Sequence, residues 1–172
     1  NVSESIRVLE ARFLIANSAC RAIFEKQVIG STVAALLHYE SLMVFLWAGD
    51  SRIYRLREGS LSLMTVDHNL AQERVRRGEI AQENSQSLPS SNVLTRAVGI
   101  HHKLRVEMNF APLQSGDRFL ICTDGLYREL AFSKIESLLQ NEQVDLALER
   151  LIDEALKKGG KDNISGYVIQ VS

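Results

Sequence analysis

Apolar positions in the first two dozen residues recur at three- and four-residue steps: Ile6, Leu9, Phe13, Ala16, Cys20 and Ile23. That period predicts an amphipathic helix with one face to bury. The pattern then changes to short aliphatic, β-branched and aromatic runs in "GSTVAALLHYESLMVFLWAGDSRIYRLREGSLSLMT", punctuated at Glu40-Ser41, Gly49-Asp50-Ser51 and Glu58-Gly59. Short runs with polar or glycine turns between them predict consecutive antiparallel strands, a meander rather than strands joined by crossover helices.

"NLAQERVRRGEI" predicts a short helix that starts at Asn69 and stops at Gly78. From Glu79 to Asn92 the chain is polar, aperiodic and interrupted by Pro89, as expected of a surface excursion. "KLRVEMNFAPL" and "DRFLICT" predict two further strands, and Ser133 with Glu136 has the spacing of a capping box opening the helix "SKIESLL". A last helix, roughly Val144 to Lys158, sets Leu148, Leu151, Ile152 and Ala155 on one face and ends at Gly159-Gly160; "ISGYVIQV" predicts the final strand. Antiparallel strands with helices segregated from them indicate an α+β layered domain. A chain of 172 residues suits a single such domain with a real core.

Charge narrows the partners. With 20 basic residues against 21 acidic ones, nothing favours a nucleic-acid or anionic-membrane surface. The one basic cluster, Arg74 to Arg77, reads as a solvated helix face, with a phosphate-facing patch as the alternative. Cys20 and Cys122 lie in apolar surroundings and are too few for a disulfide framework or a zinc site, so a reducing, cytoplasmic setting is expected.

Three carboxylates share a context. Asp50 in "WAGDSRIY", Asp124 in "ICTDGLY" and Asp162 in "GGKDNISGY" each sit where a strand starts or ends, beside small residues. Carboxylates gathered from separate strands repel one another unless a cation lies between them, and Mg²⁺ or Mn²⁺ prefers such oxygen ligands. Each Asp can equally do no more than shape its own turn.

The segments "GSTVAALL", "AGDSRIYRL", "DHNLAQE", "NVLTRAVG", "SGDRFLICTDGLY" and "GGKDNISGYVIQV" follow one another in the order and at about the spacing found in the type 2C metal-dependent serine/threonine protein phosphatases, and the chain resembles that family along nearly its whole length. The resemblance implies an antiparallel β-sandwich flanked by helix pairs, in four layers αββα. It implies two to three Mn²⁺ or Mg²⁺ ions and direct attack of a metal-held water on a phosphoserine or phosphothreonine of a protein, the substrate of a cognate kinase. Asp124 and Asp162 match the carboxylates that hold one metal of the central pair, and Asp50 matches an Asp that binds a third metal together with Asp124. By the same resemblance Gly125 permits close backbone approach, Asn163 shapes the turn of Asp162, Ser31 and Thr32 support the site, and residues 69–94 form a flap facing protein substrates. His38, His68, His101 and His102 fall outside the metal positions; His68 is expected to be structural, and the adjacent pair an exposed turn. The family's metal-bridging Asp, phosphate-holding Arg and nearby His have no match here and are expected upstream of Asn1. The chain is therefore expected to be an N-terminally incomplete, weakly active or inactive piece of a phosphatase. The alternatives are a non-catalytic pseudophosphatase that binds phosphoproteins and a partner-binding regulatory module.

Overall fold

The computed structural model describes residues 1–23, 29–86 and 88–172, which form two compact units: Asn1–Asp50 with Val66–Phe110, and Ser51–Thr65 with Ala111–Ser172. The fold is α+β with two antiparallel sheets.

In the first unit a long helix, α1 (Val2–Ile23), precedes the hairpin of β1 (Val33–Tyr39) and β2 (Leu42–Ala48), whose register runs from Val33 opposite Ala48 to Tyr39 opposite Leu42. β2 is central in the sheet order β1-β2-β5, with β5 spanning Glu107–Pro112. Being central, β2 buries consecutive side chains from Met43 to Ala48 rather than alternate ones. Phe13 and Cys20 of α1 pack against Ala48, Val98 and Leu104, as the helical period predicts. Ala16 and Ile23 do not join them and are exposed. The centre of that face is Asn17, which is buried, accepts the Gly99 amide (2.7 Å) and donates to the His101 carbonyl (3.0 Å).

α2 (Leu70–Arg76) begins where expected, with the Asn69 side chain accepting from the Gln72 amide, and Gly78 follows its end at φ +73°. The polar excursion after it is not structureless: Gln82–Asn84 and Pro89–Asn92 make 3₁₀ turns. "KLRVEMNFAPL" is extended as a strand only from Glu107 onward.

The second unit holds β3 (Arg52–Arg57), β4 (Ser60–Leu63), β6 (Arg118–Cys122) and β7 (Gly166–Gln170) in the order β4-β3-β6-β7. The expected four-strand meander is thus split, since β3 pairs with β4 and β6 and not with β2. The break falls at Gly49, whose φ of +125° turns the chain out of β2. Only glycine fits there, because a Cβ would lie 2.4 Å from Thr32 Cγ2.

Three helices complete this unit: α3 (Asp124–Tyr127), α4 (Phe132–Asn141) and α5 (Val144–Lys157). Ile135 and Leu139 of α4, and Ala147, Leu151 and Ala155 of α5, close over Tyr54, Leu56 and Leu120. Burial of each of the larger apolar side chains contributes about 1.5–3 kcal/mol. The capping box is overturned. α4 starts one residue before Ser133, with Ala131 as a cap lacking a side-chain bond, while Glu136 instead accepts the Leu61 amide of edge strand β4 at 2.8 Å. An amide left unpaired costs more than a helix cap returns.

Candidate functional site

β3, β6 and β7 share one end of their sheet, where Cys122 is registered with Arg52 on one side and Gly166 on the other. Two sequence-predicted carboxylates stand at that end: Asp124 two residues past β6, and Asp162 four residues before β7.

Their segments are tied together. Thr123 donates its amide to the Ser165 carbonyl (3.0 Å) and its hydroxyl to the Asn163 carbonyl (3.2 Å), and that hydroxyl accepts the Ser165 amide (3.0 Å). Gly125 then passes so close that a Cβ would lie 2.4 Å from Asn163 O and 3.2 Å from Asp162 O. These neighbours are backbone atoms, so no rotamer change relieves the clash. Its close-approach role follows directly from the geometry. Asp162 is exposed and accepts the amide of Asn163 at 2.7 Å.

Half-buried Asp124 opens α3, a turn of helix that sequence periodicity is too short to reveal, and Arg128 one turn on pairs with it (Nε to Oδ2, 3.2 Å). Arg52 lies 3.7 Å above the Tyr127 ring and Arg128 is 6.0 Å from its centroid. Two guanidinium groups therefore accompany this carboxylate end. Thr123 and Arg128 were not singled out by sequence reasoning; the i, i+4 spacing of Asp124 and Arg128 was the available signal.

Asp50 belongs to the first unit, buried just past β2. There Ser31 pairs with Val98 through two backbone bonds of 2.9 Å, and the Thr32 methyl fills the space beside Gly49. His101 and His102 are exposed, the latter beside Arg21, and His38 approaches the Glu40 carbonyl. His68 differs from these. It is buried, stacks on Trp47, and faces Glu107 (2.7 Å) in a cavity of about 280 Å³ also lined by Gln72, Arg76 and Arg96. Burial pushes the His68 pKa down, against the pull of Glu107. In the basic cluster, Arg74 and Arg77 pair with Glu79 and Glu73, while Arg76 lines the cavity.

The donors fit a hard divalent cation in part. Asp124 and Asp162 carry carboxylates, the ligand type such an ion prefers, on segments that Gly125 allows to lie close together. Among the described residues, however, no three Asp, Glu, His or Cys side chains converge as a metal cluster.

With this geometry in view, the sequence comparison is direct: residues 3–166 match the protein phosphatase 2C family, to which the chain belongs. The serine/threonine phosphatase stp of Listeria welshimeri is 33% identical over 143 residues, covering 83% of this chain and 57% of the Listeria protein. The chain thus spans little more than half of that relative. Among solved structures, PppA, a key regulatory component of the T6SS in Pseudomonas aeruginosa, superposes with a TM-score of 0.89 at 30% identity, over 100% of this chain and 72% of PppA. The catalytic domain of the phosphatase PstP, solved with two manganese ions, gives a TM-score of 0.79 at 31% identity, over 91% of this chain and 67% of that one.

Proposed function

We propose that the protein removes phosphate from phosphoserine and phosphothreonine in proteins, with Mn²⁺ or Mg²⁺ as cofactor, in the cytoplasm and in opposition to a cognate kinase. The observation that carries this reading is the joining of the Asp124 and Asp162 segments at one sheet end through Thr123 and Gly125. Divalent ions, when bound, make a water more acidic and neutralise phosphoryl charge. The residues of this chain hold and orient. Asp124 and Asp162 present oxygens for the ions, Thr123 fixes the distance between their segments, and Arg128 orients the Asp124 carboxylate. Asp50 is a ligand of a third, more weakly held ion, and residues 69–94 face the protein substrate.

Two carboxylates are too few to hold a pair of divalent ions, whose mutual repulsion at ~4 Å is about 16 kcal/mol even at an effective dielectric of ~20. Residues 1–172 expressed alone are therefore proposed to turn over slowly or not at all. The absence of a three-member cluster among the described residues also favours a second reading, a phosphoprotein-binding module without hydrolysis. Phosphate release from a phosphothreonine peptide separates the two. Release that needs Mn²⁺ and stops on addition of EDTA supports the phosphatase; peptide binding without release by the intact protein supports the module and overturns the phosphatase.

A further inference from the structure

Gly49 immediately precedes Asp50, and its backbone is held on both polar atoms by a single residue. Its amide donates to His68 Nδ1 (3.1 Å), and its carbonyl accepts the His68 amide (3.0 Å). The Gly49 proton must point at Nδ1, so Nδ1 is unprotonated and Nε2 carries the ring proton. That proton is donated to Glu107 Oε2 at 2.7 Å; Arg96 Nη1 lies 3.0 Å from both Nε2 and that oxygen and, being a donor only, gives its proton to the carboxylate. The remaining freedom of the ring is removed by Trp47, stacked at 6.0 Å with 9° between planes and itself anchored by its indole N–H to the Val66 carbonyl (2.9 Å).

We infer that His68 is a positioning residue: with Glu107 and Arg96 behind it, it fixes the backbone at Gly49 and so sets where the Asp50 carboxylate is presented to a divalent cation. A histidine serving only to fill space needs neither a defined tautomer nor a bond to the residue before a carboxylate. Gly49 depends on such a clamp, because its positive φ carries it past the end of β2, where its amide has His68 Nδ1 as acceptor. Outer residues that orient a metal ligand commonly affect affinity by 10–100-fold. The inference rests on the proposed metal role of Asp50, and its test is built to separate the two.

Two isosteric variants divide the ring's functions. In His68→Asn the side-chain oxygen stands near the place of Nδ1 and can still accept from Gly49, but nothing reaches Glu107. In His68→Gln the amide nitrogen stands near the place of Nε2 and can still donate to Glu107, but the acceptor for Gly49 is lost. The readouts are the exchange protection of the Gly49 amide and the Mn²⁺ concentration that half-broadens the Asp50 amide resonance, neither of which requires turnover. His68→Gln should lose at least ~10-fold in Gly49 protection and raise the Mn²⁺ midpoint by about 10-fold, with His68→Asn close to the parent in both. Equal effects in the two variants, or protection lost with no change in the Mn²⁺ midpoint, would overturn the clamp. No broadening of Asp50 in the parent would overturn it as well. Should His68→Gln fail to fold, His68→Leu replaces it: with no acceptor left for the Gly49 amide its protection must fall, and unchanged protection refutes the inference. Phosphate release is measured separately. Whatever its level in the parent, the clamp is decided by the two spectroscopic readouts, and the phosphatase reading by release from the intact protein.

Discussion

Gly125→Ala puts the joined carboxylate segments under direct strain. The new Cβ would sit 2.4 Å from Asn163 O, whereas ordinary contact begins near 3.4 Å, so the segments must part by about 1 Å. Because the obstructing atoms are main chain, the separation is transmitted to the Thr123 links, whose lengths of 3.0–3.2 Å would stretch to roughly 4 Å, beyond hydrogen bonding. Overpacking costs about 1–3 kcal/mol, and the weakened hydrogen bonds add about 1 kcal/mol each when lost. A total of roughly 4–6 kcal/mol should lower Tm by about 8–24 °C. A displacement of ~1 Å also exceeds the ~0.2 Å tolerance of metal–ligand distances, so Mn²⁺ affinity should drop at least ~10-fold. Calorimetric melts with and without Mn²⁺, beside a Gly78→Ala control, read both effects. Gly78 has φ +73° and open space around it, so alanine there should cost only about 1 kcal/mol and leave Mn²⁺ binding unchanged. A Gly125→Ala protein that melts within about 1 °C of the parent and binds Mn²⁺ as before would refute the reasoning.

Asp124→Asn in the intact protein should abolish Mn²⁺-dependent phosphate release while leaving the circular dichroism spectrum and most of the melting temperature intact, since the residue is half-buried and its ion pair with Arg128 is partly solvated; undiminished release would remove it from the site. Asn17→Ala leaves the Gly99 amide and the His101 carbonyl without their partner, and should cost roughly 2–4 kcal/mol in urea unfolding, a value near zero showing that water replaces the side chain. The carboxyl of Asp117 is nearly inaccessible. Burial alone would raise its pKa, but the two bonds from Arg57 and one from the Gln114 amide outweigh it and hold the pKa below the usual aspartate range. A depressed folded-state pKa contributes stability at neutral pH that is lost as pH falls below about 4 toward the folded value. Melting temperatures taken downward from pH 5 should fall less steeply in Asp117→Asn than in the parent; parallel curves would deny the linkage.

Periodicity reached the elements better than their partners. The face of α1 was legible through Phe13 and Cys20, yet its buried centre was not, because Asn17 reads as a polar interruption until Gly99 and His101, some eighty positions on, supply its bonds. Ser133 and Glu136 satisfied a local capping rule, but the demand of the Leu61 amide is tertiary and overrode it. The turn at Gly49 was visible, whereas the change of sheet was not, since spacing records that strands are consecutive and says nothing of which ladder each enters. For the site, Asp124 and Asp162 were legible as strand-end carboxylates, whereas the close approach at Gly125 was expected only from the family resemblance. The role of Thr123 depends on carbonyls forty positions away and that of His68 on Glu107 and Gly49, so neither leaves a local trace.

Titrating Mn²⁺ into isotope-labelled protein and following the loss of amide resonances shows whether the segments of Asp124 and Asp162 carry a divalent metal. Broadening at the lowest Mn²⁺ concentrations should appear at residues 123–125 and 162–164 together, and Asp124→Asn should abolish it at both segments. Broadening that starts instead at other acidic positions such as Asp145 or Asp153, or that persists at 162–164 in Asp124→Asn, would contradict that site.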